Sequence, residues 1–320
     1  MKNLALRQIA VIGVVIFLLL MAPQLLKVTQ IRMLNEIAYF SLFAISFNLL
    51  FGYAGLLSFG HAAYFGLGAY TTAILLKRAA GTPLLLSILL GGIAGAIGGA
   101  IIGFFCVRRK GSYFVLLTLA FNQLLWALAW KWRGLTRGDD GIGGFVPKSI
   151  NFGILTLNIA NTETMYYLSC AVVVILLLLA WYLMKTPFGN TIRTIKVNEE
   201  RAAFLGYDVN FSKILVFTIA SFFAGIAGSL FAVFQDFVSP NAMDLKMSTE
   251  VALMTVLGGT GSFFGPILGA AIFVYLSDWI SSLWDRWEFI MGVLFIILVL
   301  YFHQGAIGLI PKKIKSTFKG

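Results

Sequence analysis

Charge is what this sequence has least of. Asp, Glu, Lys and Arg make up 12% of its 320 residues, and only 13 side chains are acidic, where a soluble domain carries about 25% charged residues. With 59% of its residues hydrophobic, such a chain cannot cover a water-facing surface, and a soluble globular domain is excluded. Cysteine is equally scarce. Cys106 and Cys170 lie in separate apolar segments, which leaves neither a disulfide framework nor metal-ligand spacing. The two histidines, His61 and His303, are far apart, no H-E-x-x-H pair or nucleophile elbow occurs, and hydrolase chemistry has no residues to rest on. No G-x-x-x-x-G-K-[ST] stretch is present, so the chain has no P-loop with which to hold a nucleotide. If ATP drives this protein, the engine sits in another chain.

What is present is apolar sequence in runs. Crossing a hydrocarbon core of roughly 30 Å takes about 20 apolar residues as helix, whereas barrel strands would alternate over about 10. Runs of helical length fall at 9 to 26, 34 to 51, 58 to 76, 84 to 106, 112 to 130, 165 to 184, 211 to 234, 248 to 258, 264 to 281 and 287 to 304. The fold class is therefore all-α, a polytopic transmembrane helical bundle of about 8 to 10 membrane segments, some broken or short. The third run is interrupted by Gly60, Gly66 and Gly68, and the eighth is too short to span unaided. Irregular backbone cannot face lipid, so such segments line cavities. No small-x-small cleavage site follows the first run, which reads as a retained helix rather than a signal peptide.

The net charge of +11 does not point to nucleic acid, because the basic residues gather at the ends of apolar runs, where they set topology and meet lipid headgroups. They favour both termini inside, with 131–164 as an outer loop and 185–210 as a cytosolic segment of a single 1–320 transmembrane domain. Glu36, Glu250, Asp278 and Glu288 fall near run ends, so no buried charge relay for ion coupling is evident. Gly91, Gly95, Gly99 and Gly103 recur every four residues, as do Ala220, Ala224, Gly228 and Ala232, with Ser221, Gly225 and Ser229 beside them. Such small faces let helices approach closely.

The longest densely charged stretch is Lys185 to Lys213. Pro187 starts a helix and Gly206 stops one, and Ile192, Ile195, Ala202, Phe204 and Leu205 interleave with Arg193, Lys196, Glu199 and Glu200. A short element with one apolar face and both charge signs suits a protein groove, with an ordinary solvated loop as the alternative. Three other places attract chemistry. Ser58, His61 and Tyr70 accompany glycines near a broken helix, where His61 is either a substrate contact or a packed side chain. Gly258-Gly259-Thr260-Gly261 makes a tight turn before Gly265-Pro266 restarts a helix, either at the midplane or at the cytosolic surface. Asp139 and Asp140 sit in a glycine-rich outer turn that meets a binding protein or is plain loop.

Four stretches carry a family resemblance: Asn48 to Tyr70, reading NLLFGYAGLLSFGHAAYFGLGAY; Tyr113 to Ala120 with Leu135 to Gly144; Asn198 to Asp208; and Leu257 to Ala270. In them the chain resembles the LivM-type permease subunits of branched-chain amino acid ABC importers, over about residues 33 to 310. The general coupling motif E-A-A-x-x-x-G appears only as Glu200-x-Ala202-x-x-x-Gly206, with Arg201 in place of the first Ala, and Arg137 stands where relatives usually carry Gly. The resemblance implies a transport subunit rather than an enzyme, in the bacterial inner membrane. It implies alternating access driven by two cytosolic ABC ATPases that hold ATP and Mg, a second LivH-like permease, and a periplasmic substrate-binding protein. It places ATPase coupling at Glu199, Glu200, Arg201, Ala202 and Gly206, a substrate pathway along Asn48, Ser58, His61, Tyr70, Gly258, Gly259 and Gly261, and binding-protein contact at Asp139 and Asp140. Within the same family, urea, short amides or aromatic acids are alternative cargoes. An ion-coupled carrier or channel is the alternative of another class.

Overall fold

In a computed structural model of the chain, the residues described are 21, 23–24, 26–79, 81–146, 149–151, 156–158, 161–284, 286, 288–293 and 296. The helices are α1 (Val28–Asn48), α2 (His61–Arg78), α3 (Leu84–Cys106), α4 (Ser112–Lys131), α5 (Arg133–Thr136), α6 (Thr162–Lys185), α7 (Pro187–Val197), α8 (Glu199–Phe204), α9 (Val209–Gln235), α10 (Leu245–Gly258) and α11 (Gly265–Leu283). A π-helical turn, Leu49–Tyr53, continues α1, and 3-10 turns occur at Gly138–Asp140 and Pro240–Met243. Four short strands occur among the described residues: β1 (Ile142–Gly143), β2 (Ser149–Asn151), β3 (Thr156–Asn158) and β4 (Phe237–Val238). β1 pairs antiparallel with β4, Ile142 opposite Val238, and β2 pairs with β3.

Six helices are long and apolar enough to cross a membrane among the described residues: Val28–Tyr53, Leu84–Cys106, Ser112–Lys131, Thr162–Lys185, Val209–Gln235 and Gly265–Leu283. The chain is a multi-pass helical membrane protein. The expected runs at 9 to 26 and 287 to 304 lie largely outside the described residues. The two irregular runs become α2 and α10, and each has a physical reason for its composition. α2 is packed by α3 and α9 and buried along most of its length, so it can carry His61, Thr72 and several glycines without meeting lipid. α10 has 14 residues, about 21 Å of helix, and begins inside the bundle. There the Pro240–Met243 turn receives a hydrogen bond from Asn122 Nδ2 on α4 to Met243 O at 3.0 Å, and Ser248 Oγ accepts from Ala62 N at 2.9 Å.

The core is built on α9, which packs along α2, α3 and α1. The glycine face of α3 meets the serine and glycine strip of α9: Gly91 lies against Ser229, and Gly95 and Gly99 lie against Ser221. The two backbones come so close that a Cβ on Gly225 would stand 2.8 Å from Gly91 O. Inside lipid such close packing, rather than burial from water, holds helices together. The α3, α4 and α6 faces turned outward carry Leu89, Ile97, Leu116, Leu124, Ile175 and Leu179, all exposed.

The bundle has two distinct ends. At one, Lys110 before α4, Glu199 on α8 and Lys213 on α9 meet. At the other, Lys77 Nζ at the end of α2 donates to Gly143 O and Gly144 O at 3.0 Å each, and Arg78 reaches Gly134 O at 2.5 Å. The Asp236 carboxylate, where α9 ends, accepts from Phe145 N and Val146 N at 2.9 Å. The loop carrying β1 is thereby fixed to α2 and α9.

Candidate functional site

The charged 185 to 213 stretch folds as two short helices. Thr186 leaves α6 in extended conformation and Pro187 opens α7, where its missing N–H costs nothing. Gly189, Ile192 and Ile195 turn inward and are buried. Asn198 breaks the chain at φ −159° and caps α8, its side chain accepting from Arg201 N at 2.9 Å. Glu199 and Glu200 then sit in the first turn, where the helix dipole favours acids. α8 ends in a Schellman motif: Gly206 N donates to Ala203 O at 2.9 Å and Tyr207 N to Ala202 O at 3.2 Å, with Gly206 at φ +88°.

Within this element the five coupling candidates have different surroundings. Ala202 is fully buried and seats α8 on the bundle, so its side chain is not available to a partner. Glu199 is held between Lys110, at 3.0 Å, and Lys213. Burial pushes the Glu199 carboxyl up, but hydrogen bonds from Lys213 and Lys110 outweigh it and hold the group below its ordinary value. The same contact raises the Lys110 ammonium. Glu200, Arg201 and Gly206 are exposed. Beside them stand apolar side chains that no membrane helix explains: Phe204 is 90% exposed, Val197 82% and Leu205 66%.

The seven pathway candidates are not brought into one site. Asn48 spends both ends of its amide on the α10–α11 turn, donating to Ser262 O at 2.9 Å and accepting from Gly261 N at 3.2 Å. Gly258, Gly259 and Gly261 belong to that turn, which lies beside the π-helical end of α1. Ser58 Oγ accepts from Gly60 N in a local turn. His61 is fully buried, 2.8 Å from Ser46 Oγ, stacked on Phe43 at 5.4 Å and edge-on to Phe47 and Tyr64. Its Nδ1 is buried with no hydrogen-bond partner among the described residues. Tyr70 lies nine residues further along α2, about 13 Å away, and its buried hydroxyl has no partner among the described residues.

Asp139 and Asp140 project from the opposite end, exposed in the Gly138–Asp140 turn. Arg137 itself adopts the left-handed conformation, φ 63° and ψ 6°, so the turn survives the departure from Gly at the expense of about 1 kcal/mol of backbone strain.

Residues 30–300 match the family of branched-chain amino acid transport system / permease component proteins. The chain belongs to this family. It is 28% identical over 287 residues to the high-affinity branched-chain amino acid transport system permease protein LivM of Salmonella typhimurium, covering 84% of this chain and 67% of that one. The Escherichia coli LivM gives 28% over 288 residues with the same coverage, and the probable LivM of Methanocaldococcus jannaschii 25% over 323 residues, 84% and 90% of the two chains. No solved structure matches.

In this permease, sequence reasoning missed two sets of residues. Lys110 and Lys213 pin Glu199 from positions 89 residues and 14 residues away in the chain, and only the second is near enough for a local pattern to suggest it. Lys196 donates to Gly52 O at 2.6 Å. The unusual closeness of glycines in the Leu50–Gly55 stretch marks Gly52, but nothing in the sequence names its partner.

Proposed function

We propose that this chain is the membrane-spanning half of an ATP-driven importer of branched-chain amino acids, and that α7 and α8 form the element on which a partner ATPase pushes. The observation that carries this is the α8 end: a short capped element seated by Ala202 and Glu199, presenting Phe204, Leu205 and Val197 to solvent beside the charges of Glu200 and Arg201. Apolar anchors ringed by charge suit a protein groove. Glu200, Arg201 and Gly206 belong to the docking face, while Glu199 and Ala202 hold it in place.

ATP and Mg are then bound by two cytosolic ATPases, and no cofactor is needed in this chain. A second, LivH-like permease completes the membrane part, and a periplasmic binding protein delivers cargo at the end that carries Asp139 and Asp140. This puts the α8 end in the cytosol, residues 131–164 outside, and both termini inside, in the inner membrane. The end supports itself on aromatic neighbours expected at a lipid boundary, with Lys185 Nζ 3.6 Å from the Trp181 ring and Arg108 4.4 Å from Phe104. Of the pathway candidates Tyr70 is the one with a hydroxyl free for cargo, and the others contribute by shaping the helices around it.

The test is purification of the tagged chain with its neighbours' products. ATPase subunits should co-purify, and proteoliposomes should take up leucine only with ATP. Phe204→Asp should abolish co-purification of the ATPases while the permease still inserts. Uptake that persists without ATP and collapses under an uncoupler would reject the importer in favour of an ion-coupled carrier.

A further inference from the structure

Gly52 lies in the π-helical turn that closes α1, where backbone carbonyls run out of helical donors. Its carbonyl accepts from Lys196 Nζ at 2.6 Å, a cation placed at the negative end of the α1 dipole. The Lys196 stem lies over Gly55, and one turn earlier on α7 the Arg193 guanidinium stands 5.1 Å from the Tyr53 ring. On its other side Gly52 leaves no room: a Cβ there would overlap the Asn48 amide and stand 2.8 Å from Gly261 N. Asn48 in turn holds the α10–α11 turn through Gly261 N and Ser262 O. α7, the end of α1 and the α10–α11 turn are therefore joined in series by direct contacts. At its far end α10 starts inside the bundle, next to the first residues of α2.

We infer that Lys196 is a positioning residue that carries displacement of the α7–α8 element to the π-helical turn of α1 and, through Gly52 and Asn48, to the α10–α11 turn. Movement of that turn is passed along α10, a single rigid helix, to the interior where the Met243 and Ser248 contacts lie. A relay needs physically contiguous contacts that move together, and hydrogen bonds from a cation to a helix-end carbonyl are among the stronger ones available. The assignment rests on the docking reading above, because it needs a motor acting on α7 and α8.

The experiment uses the complete transporter, purified with its partner subunits and reconstituted in proteoliposomes, with leucine uptake and ATP hydrolysis measured on the same vesicles. Lys196→Met keeps the stem over Gly55 and removes the ammonium. The expected result is retained ATPase co-purification and continued hydrolysis, with uptake per ATP down at least tenfold. Lys196→Arg should return the ratio to within about twofold. Wild-type coupling in Lys196→Met, loss of the ATPases from that variant, or no rescue by arginine would overturn the inference. A wild-type complex that lacks ATPases fails the docking reading itself and takes the relay with it. If Lys196→Met inserts poorly, hydrogen exchange on the folded fraction decides: amides of 259 to 262 should exchange faster than in wild type, and unchanged exchange there overturns the relay.

Discussion

Glu199 is asked to satisfy two ammonium groups at once, and that sets the order at the α8 end. Lys213 is only 2% exposed and stands at the start of the second turn of α9. A buried charge without its partner is costly, so the lysine's place depends on the carboxylate. Glu199→Gln should raise hydrogen exchange of the 199 to 206 amides about tenfold, equivalent to about 1.4 kcal/mol, whereas Glu200→Gln, on an exposed residue with no ion pair among the described residues, loses only its charge in the first turn and should raise it by less than about threefold. Equal exchange in both variants would contradict the role given to Glu199. The pH dependence has a fixed sign. Because the Glu199 carboxyl is held below its ordinary value of 4.5, its contribution is fully present above that value and is lost as pH falls through the lower folded one. Protection of α8 should therefore be flat from pH 8 to 5 and fall only in more acidic solution, which the same exchange measurement follows. The motif marked Glu200 and Ala202, with Glu199 only beside it, and motif position carries no burial. Ala202 turned out to be the seat of the helix rather than part of its outer face.

Among elements, α8 is the clearest case of local sequence dictating local structure. Asn198 as cap, two acids in the first turn and Gly206 at the end are all local signals, and each is found doing that job. Among the described residues nothing lies within 4 Å of where a Cβ on Gly206 would stand, so in the permease alone its replacement tests backbone conformation. Gly206→Ala should cost about 1 kcal/mol in α8 and Gly206→Asn less, since asparagine tolerates the left-handed region. Both are read on the permease without its ATPases, as faster hydrogen exchange of the 200 to 205 amides, and identical behaviour of Ala and Asn would argue against this cause. α10 and the π-helical turn of α1 are different. Glycine interruptions and a short apolar run announced irregularity, but not that α10 starts inside the bundle, because that depends on Met243 meeting Asn122 across 121 residues of chain.

For the whole molecule the testable quantity is orientation. In a background with Cys106 and Cys170 replaced by alanine, Asp140→Cys should react with an impermeant maleimide added to intact cells. Arg201→Cys should react only once the membrane is opened. The opposite pattern would invert the topology, and labelling of both from one side would dismantle the two-ended bundle. What the sequence determined by itself is membrane residence, the helical class, the placing of most spans, the small-residue faces and the family, because hydropathy, period four and contiguous motifs are local properties of a chain. What tertiary structure alone decided is which groups share work. It packed His61 against Phe43, spent the Asn48 amide on a turn 213 residues away, and set Lys196 on a carbonyl 144 residues distant. Such pairings are fixed by the packing of whole helices against one another, and no local pattern records that packing.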